Sequence, residues 1–220
     1  PLFYILIFIT QNLTIMHARV YKEYEQICSE MNVTGSVLEV GAMPSEKSLL
    51  CMKSLSNASE KVGINLMGSY EYKDFKIHQG NANSMDLFED EKFDIVLCNA
   101  LIEHDKYFWK TIAEIKRVTK PGGIIVLGCP GYTYHKFEMF KWVLGKIPFV
   151  RNLRENQYLN MFFTATITLQ IHNCPGDYYR FSPQAFTDVF FDDLDNVEVR
   201  EIMLPTRILG FGTKRQKSRS

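Results

Sequence analysis

Five short apolar runs, separated by helical or loop-forming stretches, constrain this chain more than any other feature. They are Ser36–Gly41, Lys61–Asn65, Phe75–His78, Phe93–Cys98 and Ile124–Gly128. Each has the length of a strand, and the clearest of them, such as Ile124–Gly128, read apolar throughout rather than alternating. Strands read that way when both faces are buried, as in a parallel sheet covered by helices. Helical patterns lie between and around the runs. Thr14 to Glu30 places Tyr21, Tyr24 and Ile27 on one stripe, and Ser45 to Leu55 places Leu49, Leu50, Met52 and Leu55 on one side. Tyr107 to Thr119 places Phe108, Ile112, Ile115 and Val118 on one face, and Pro121-Gly122-Gly123 stops it. After Pro183, Gln184 to Phe191 reads as a helix, and Val197–Met203 and Arg207–Thr213 as two closing strands. Ligands of such sheets bind beyond the carboxyl ends of the strands, which directs attention to Gly41, Asn65, Asn81 and Asn99.

The chain of 220 residues suits one domain with an insertion. Residues 1–30 form an apolar N-terminal segment and a helix, residues 31–213 the sheet domain, and residues 214–220 a basic tail. Within the domain, 129–180 breaks the strand–helix rhythm and is rich in aromatics such as Tyr134, Phe140, Trp142, Phe149 and Phe163. These either wall a lid over the carboxyl edge of the sheet or pack an inserted helical pair. The run Leu2–Ile9 is shorter than the ~20 residues of a membrane span, and it lacks the charged flank and cleavage site of a signal peptide. It packs on the domain, forms a partner surface, takes a membrane role, or lies outside a native chain that starts at Met16. Lys plus Arg and Asp plus Glu both number 25, so no nucleic-acid partner is expected. Lys214, Arg215, Lys217 and Arg219 read as a solvated terminus. Cys28, Cys51, Cys98, Cys129 and Cys174 show no CxxC pair and no zinc spacing. They read as reduced thiols of a cytoplasmic protein. The Asp192-Asp193 and Asp195 cluster lacks the ordered carboxylates of a calcium loop, and no metal is expected.

The stretch Phe93 to Gly128 is the most specific. There FDIVLCNALIEHD leads into AEIKRVTKPGGIIVLG. With Glu39-Val40-Gly41 at the end of the first strand, and less distinctly Asp177 to Pro183, the chain resembles the class I S-adenosylmethionine-dependent methyltransferases, in particular the methyltransferase type 11 group. The resemblance is good over 35–130. It implies a Rossmann-like α/β fold, with a seven-stranded, mostly parallel sheet in the order 3-2-1-4-5-7-6. Strand seven is antiparallel, helices cover both faces, and the helical aromatic-rich insertion follows strand five. The implied cofactor is S-adenosylmethionine. Its binding residues would be Glu39, Gly41, Ala42, Asn65, Leu66, Asn81, Ala82, Asn99, Ala100, Leu101 and His104. Gly41 lets backbone approach the cofactor because no Cβ intervenes. Met43 and Ser45 stand where the family has further glycines. Asn65 and Asn81 stand where it has acids for the ribose hydroxyls and the adenine amino group. An amide can donate and accept, but it lacks the strength of a charged acceptor. Either Asn alone also suits a turn, and His104 either faces the cofactor or orients its own turn. The GxGxxG fingerprint of nicotinamide enzymes is absent.

Methyl transfer from a sulfonium needs alignment and exclusion of water, and a base only where the acceptor sheds a proton. His172 and His135 are the candidate catalytic bases, each with a structural role as the alternative. Arg180 either binds an anionic substrate or pairs with Asp177. The expected activity is methyl transfer to a small-molecule or glycan-precursor substrate; the alternative is a catalytically inactive binding or scaffold protein on the same fold.

Overall fold

The computed structural model describes residues 16–153, 155–170 and 176–216. Its centre is one eight-stranded sheet. The strands are β1 (Ser36–Val40), β2 (Glu60–Asn65), β3 (Tyr70–Tyr72), β4 (Phe75–Gln79), β5 (Phe93–Asn99), β6 (Thr119–Pro130), β7 (Leu194–Met203) and β8 (Arg207–Lys214). They lie in the order β3-β4-β2-β1-β5-β6-β8-β7. The pairs from β4 across to β6 are parallel, and β8 runs antiparallel between β6 and β7. Without β3 this is the order expected from the sequence. The extra strand is an edge hairpin in which Tyr72 faces Phe75 across Lys73-Asp74, with Lys73 at φ 52°. Its three residues are largely exposed and so leave no apolar run to read.

The register brings the strand tips level. Val40 lies opposite Ile64 and Cys98, Ile64 opposite His78, and Cys98 opposite Leu127. Each strand splits its side chains between the two faces. Leu38, Val40, Val96, Ile125 and Leu127 pack with Ile112, Ile115 and Val118 of α2 (Phe108–Val118) and with Phe186 and Phe190. Val37, Ile77, Ile95, Leu97 and Val126 pack with Tyr24 and Ile27 of α1 (Ala18–Glu30) and with Leu49, Leu50 and Leu55. Burying each such side chain contributes ~1.5–3 kcal/mol. The Tyr24 hydroxyl is buried and donates to the Cys98 carbonyl at 2.7 Å, which ties α1 to the tip of β5.

Three local expectations change. Ser45–Leu55 is not an α-helix but two 3₁₀ turns, Leu49–Cys51 and Lys53–Leu55. The Ser48 hydroxyl accepts from Leu50 N–H, and Met52 is extended (φ −61°, ψ 140°), so neither turn propagates. All four of Leu49, Leu50, Met52 and Leu55 are thereby buried. After β6 the chain forms α3 (His135–Gly145), α4 (Pro148–Leu153), α5 (Gln157–Thr164) and the one-turn α6 (Pro183–Ala185). The expected helix over Gln184–Phe191 is α6 running into a π turn, Phe186–Phe190, closed by Phe191 N–H on the Phe186 carbonyl (2.9 Å). The wider turn buries Phe186, Phe190 and Phe191 together. Lys214 is no part of a solvated tail. It ends β8, and its ammonium donates to the carbonyls of Lys116 and Thr119 at the end of α2, both at 2.7 Å, where a cation complements the helix dipole.

Cys28, Cys98 and Cys129 are buried free thiols, Cys51 is a half-buried one, and Cys174 lies outside the described residues. No helix among the described residues is long and apolar enough to cross a membrane. Among them, too, no group of three His, Cys, Asp or Glu is placed to hold a metal ion.

Candidate functional site

Gly41 ends β1 in the left-handed region, at φ +87°. Its N–H and that of Ala42 both donate to the Ile64 carbonyl, at 2.8 and 3.2 Å, so the β1 loop folds over the tip of β2. A Cβ at Gly41 would stand 2.8 Å from Leu101 Cδ1. The glycine thus meets both needs of the turn, a positive φ and close approach. Glu39, two residues before, is buried and turns to the other side of the loop. Its carboxylate accepts from the Ser48 hydroxyl at 2.5 Å and lies beside the N–H groups of Leu49 and Leu50. Burial raises its pKa to about 7 against those donors. Ala42 is buried too, and its methyl stands where a Cβ on Gly63 would lie.

Asn65 at the tip of β2 uses its amide at both ends. The NH₂ donates to the Ala42 carbonyl at 2.7 Å, and the oxygen accepts from the N–H groups of Met67 (2.7 Å) and Gly68 (3.2 Å). This accounts physically for an amide at this position, because a carboxylate cannot donate to the Ala42 carbonyl. Asn65→Asp is therefore expected to cost ~1–3 kcal/mol in urea unfolding at neutral pH; an unchanged midpoint would show that the loop does not depend on this bond. Leu66, next to it, is mostly exposed. Asn81 closes a turn beyond β4 by accepting from Asn83 N–H at 2.9 Å, and Ala82 packs against the core. The Asn83 amide donates to Asp105 and Thr111, at 2.6 and 2.8 Å, and fixes this turn to the start of α2.

Beyond β5, the Asn99 side chain crosses β6 where Gly128 leaves room: a Cβ there would meet Asn99 Oδ1 at 2.7 Å. Ala100 holds φ 52°, unusual for alanine, with its N–H on the Gly128 carbonyl at 2.8 Å. Leu101 then lies over Gly41. His104 Nδ1 donates to the Gly176 carbonyl at 2.8 Å, and its Nε2 stands 4.0 Å from Glu103 Oε1.

The tips thus bring together Gly41, Ala42, Asn65, Asn99, Ala100, Leu101 and His104, with the Leu66 side chain turned outward. Backbone, amide, imidazole and apolar groups meet there, a mixed polarity that suits a nucleoside. The fit is partial, since the Asn65 amide is already engaged and the Glu39 carboxylate faces away.

Beside this edge lies a buried polar cluster, of which the sequence pointed to the Arg180–Asp177 pair but not to Glu103 or Arg207. Glu103 is 2% exposed, and burial raises its pKa to about 7. Its Oε2 has no hydrogen-bond partner among the described residues, while its backbone carbonyl accepts from the N–H groups of Tyr178 (2.8 Å) and Tyr179 (3.2 Å). Asp177 is buried and chelated by Arg180, with Nη2 to Oδ2 at 2.7 Å. Arg207, paired with Pro130 at the end of β6, has its pKa lowered by burial against the pull of Glu103. An acid directly before His104, and an Asp three residues before an Arg, were the available signals. Burial was not readable from either.

His135 opens α3. Its N–H donates to Glu201 at 2.6 Å, and the residue is exposed and lines an open cleft of the insertion. His172 lies outside the described residues.

Residues 40–127 match the family described as "Methyltransferase domain". No curated protein matches the chain. Among solved structures the fold is similar to Burkholderia thailandensis 1,6-didemethyltoxoflavin-N1-methyltransferase, with bound 1,6-didemethyltoxoflavin and S-adenosylhomocysteine. The TM-score is 0.64 at 12% identity, over 97% of this chain and 86% of that one. It is also similar to a chain of the complex between the Haloferax volcanii Trm112 methyltransferase activator and a methyltransferase (TM-score 0.60, 16% identity, 94% and 93% covered). A third similar structure is the YcgJ protein from Bacillus subtilis (TM-score 0.54, 14% identity, 89% and 100% covered). At these identities the likeness is one of fold.

Proposed function

We propose that this chain, which carries a methyltransferase domain on a class I methyltransferase fold, transfers a methyl group from S-adenosylmethionine to a small-molecule or glycan-precursor acceptor in the cytoplasm. The observation that carries this reading is Gly41, left-handed and without a Cβ, at the tip of β1 and level with the tips of β2 and β5. When bound, the cofactor supplies a methyl group already activated by a sulfonium. The chain's part is to hold and align. Gly41 and Ala42 offer backbone beneath it, and Leu66 and Leu101 offer apolar contact. Asn81 and Ala82 would take the adenine, and Asn99, Ala100 and His104 would line the floor. Glu39 acts through the loop it braces, and Asn65 through whatever its remaining N–H reaches. For an acceptor that sheds a proton, His135 and His172 remain the candidate bases. Glu103 joins them through its unpartnered oxygen and its pKa of about 7.

A second reading, a binding or scaffold protein without catalysis, is favoured by two observations. The Asn65 amide is spent within the protein, and Leu101 lies over Gly41. Isothermal titration with S-adenosylmethionine and S-adenosylhomocysteine separates the readings. Micromolar affinity for both is expected; no binding at millimolar ligand would remove the cofactor and the methyl chemistry together.

A further inference from the structure

In a globular domain a surface helix turns its apolar stripe inward. Helix α3 does the reverse. Its one buried residue is Lys141, whose ammonium donates to the Ala165 carbonyl at 2.6 Å and pairs with Glu138 at 2.8 Å. Met139, Phe140, Trp142 and Val143 occupy the opposite arc, about 160° wide by helix geometry. Trp142 is 61% exposed and Phe140 55%. The pattern continues beyond α3, with Phe149 of α4 at 71% and Tyr158 of α5 at 73% exposed. No residue of α5 is buried. Single apolar side chains such as Leu66 and Trp109 are exposed elsewhere, but their density over this one insertion marks an interaction site.

The charge pattern names the occupant. From 136 to 155, besides the buried Lys141 and its partner Glu138, the sequence has four cations (Lys136, Lys146, Arg151, Arg154) against Glu155, although the whole chain is balanced. The Lys146 ammonium sits 3.5 Å over the Trp142 ring, a cation held at the edge of the apolar arc. The cores of protein interfaces are depleted in lysine. Short helices with aromatics and lysines interleaved are suited to lie in the headgroup layer of an anionic membrane, the rings reaching ~5–10 Å in. None of the three helices, of 11, 6 and 8 residues, is long enough to span it. An open cleft of about 510 Å³ is lined by Met139, Trp142 and Phe163, with His135, Glu138 and Lys141.

The geometry points to the α3–α5 insertion as a surface that seats on an anionic phospholipid bilayer. This does not depend on the methyl-transfer reading. The test is co-sedimentation of the full chain with phosphatidylcholine vesicles, with and without phosphatidylserine. The chain is expected to sediment with the anionic vesicles, more weakly with the neutral ones, and less as salt is raised. Trp142→Glu with Phe149→Glu changes two exposed side chains. It should weaken binding roughly 100-fold at unchanged far-ultraviolet dichroism. Leu6→Glu with Phe8→Glu, in the N-terminal apolar run, should leave binding in place. Failure to sediment with either vesicle overturns the proposal. So does binding that survives the double change in the insertion, or binding that the N-terminal change abolishes.

Discussion

Replacing Gly41 with valine is expected to lower affinity for S-adenosylhomocysteine at least ~100-fold, about 2.8 kcal/mol, in a chain that still folds. Two effects combine. The backbone at φ +87° is strained for any L side chain and most for a β-branched one. The Cβ would also come within 2.8 Å of Leu101 Cδ1. That atom ends a flexible side chain, so Leu101 can swing aside and the fold tolerates the change at a cost of ~1–3 kcal/mol. Leu101 lies at the tip of β1, where the cofactor is proposed to bind, so its displacement there competes with the ligand. Gly41→Ala keeps the strain but not the branched bulk and should fall between. Calorimetric titration gives affinity and thermal melting gives folding. Wild-type affinity in a folded Gly41→Val protein would place the ligand elsewhere.

The sheet was legible because its interior strands are buried on both faces, which leaves a signature in single runs such as Phe93–Cys98. The order of the parallel strands was carried by the resemblance, while the register that levels the tips is a finding of the structure. What the runs could not convey were features set by side-chain detail. The hairpin strand at Tyr70 is exposed and silent. The turns over Leu49–Leu55 depend on one Ser48 hydroxyl, and the π turn at Phe186 on three phenyl rings seeking burial. At the site, Gly41 was legible because a turn at a strand tip demands it. Asn65 was legible as a departure but not as a brace, since its partners are a carbonyl at Ala42 and two N–H groups that no pattern displays. Glu103 was overlooked for a similar reason. In sequence it is an acid beside a histidine, and only packing makes it a buried carboxyl with one oxygen unpartnered.

Arg180→Met is expected to destabilise the chain by ~3–5 kcal/mol in urea unfolding, the loss typical when one member of a buried ion pair is removed. The Asp177 side chain is wholly buried and that of Arg180 11% exposed. Their bond is the two-pronged kind that guanidinium makes with carboxylate. Arg180 further donates to the Tyr179 carbonyl at 2.8 Å and to that of Leu169 at 3.4 Å, so it fastens the end of the insertion. Without it the Asp177 charge stays buried with its strongest cation gone. The segment whose Tyr178 and Tyr179 N–H groups hold the Glu103 carbonyl loosens, and with it the turn carrying His104. The double change Asp177→Asn with Arg180→Met removes both charges and should recover ~1–3 kcal/mol, because apolar or neutral replacements of a whole pair are far cheaper than half of one. The rival role for this arginine, binding an anionic acceptor, makes the opposite forecast. A guanidinium kept for substrate would leave unfolding unchanged in the single variant, and the second change would recover nothing.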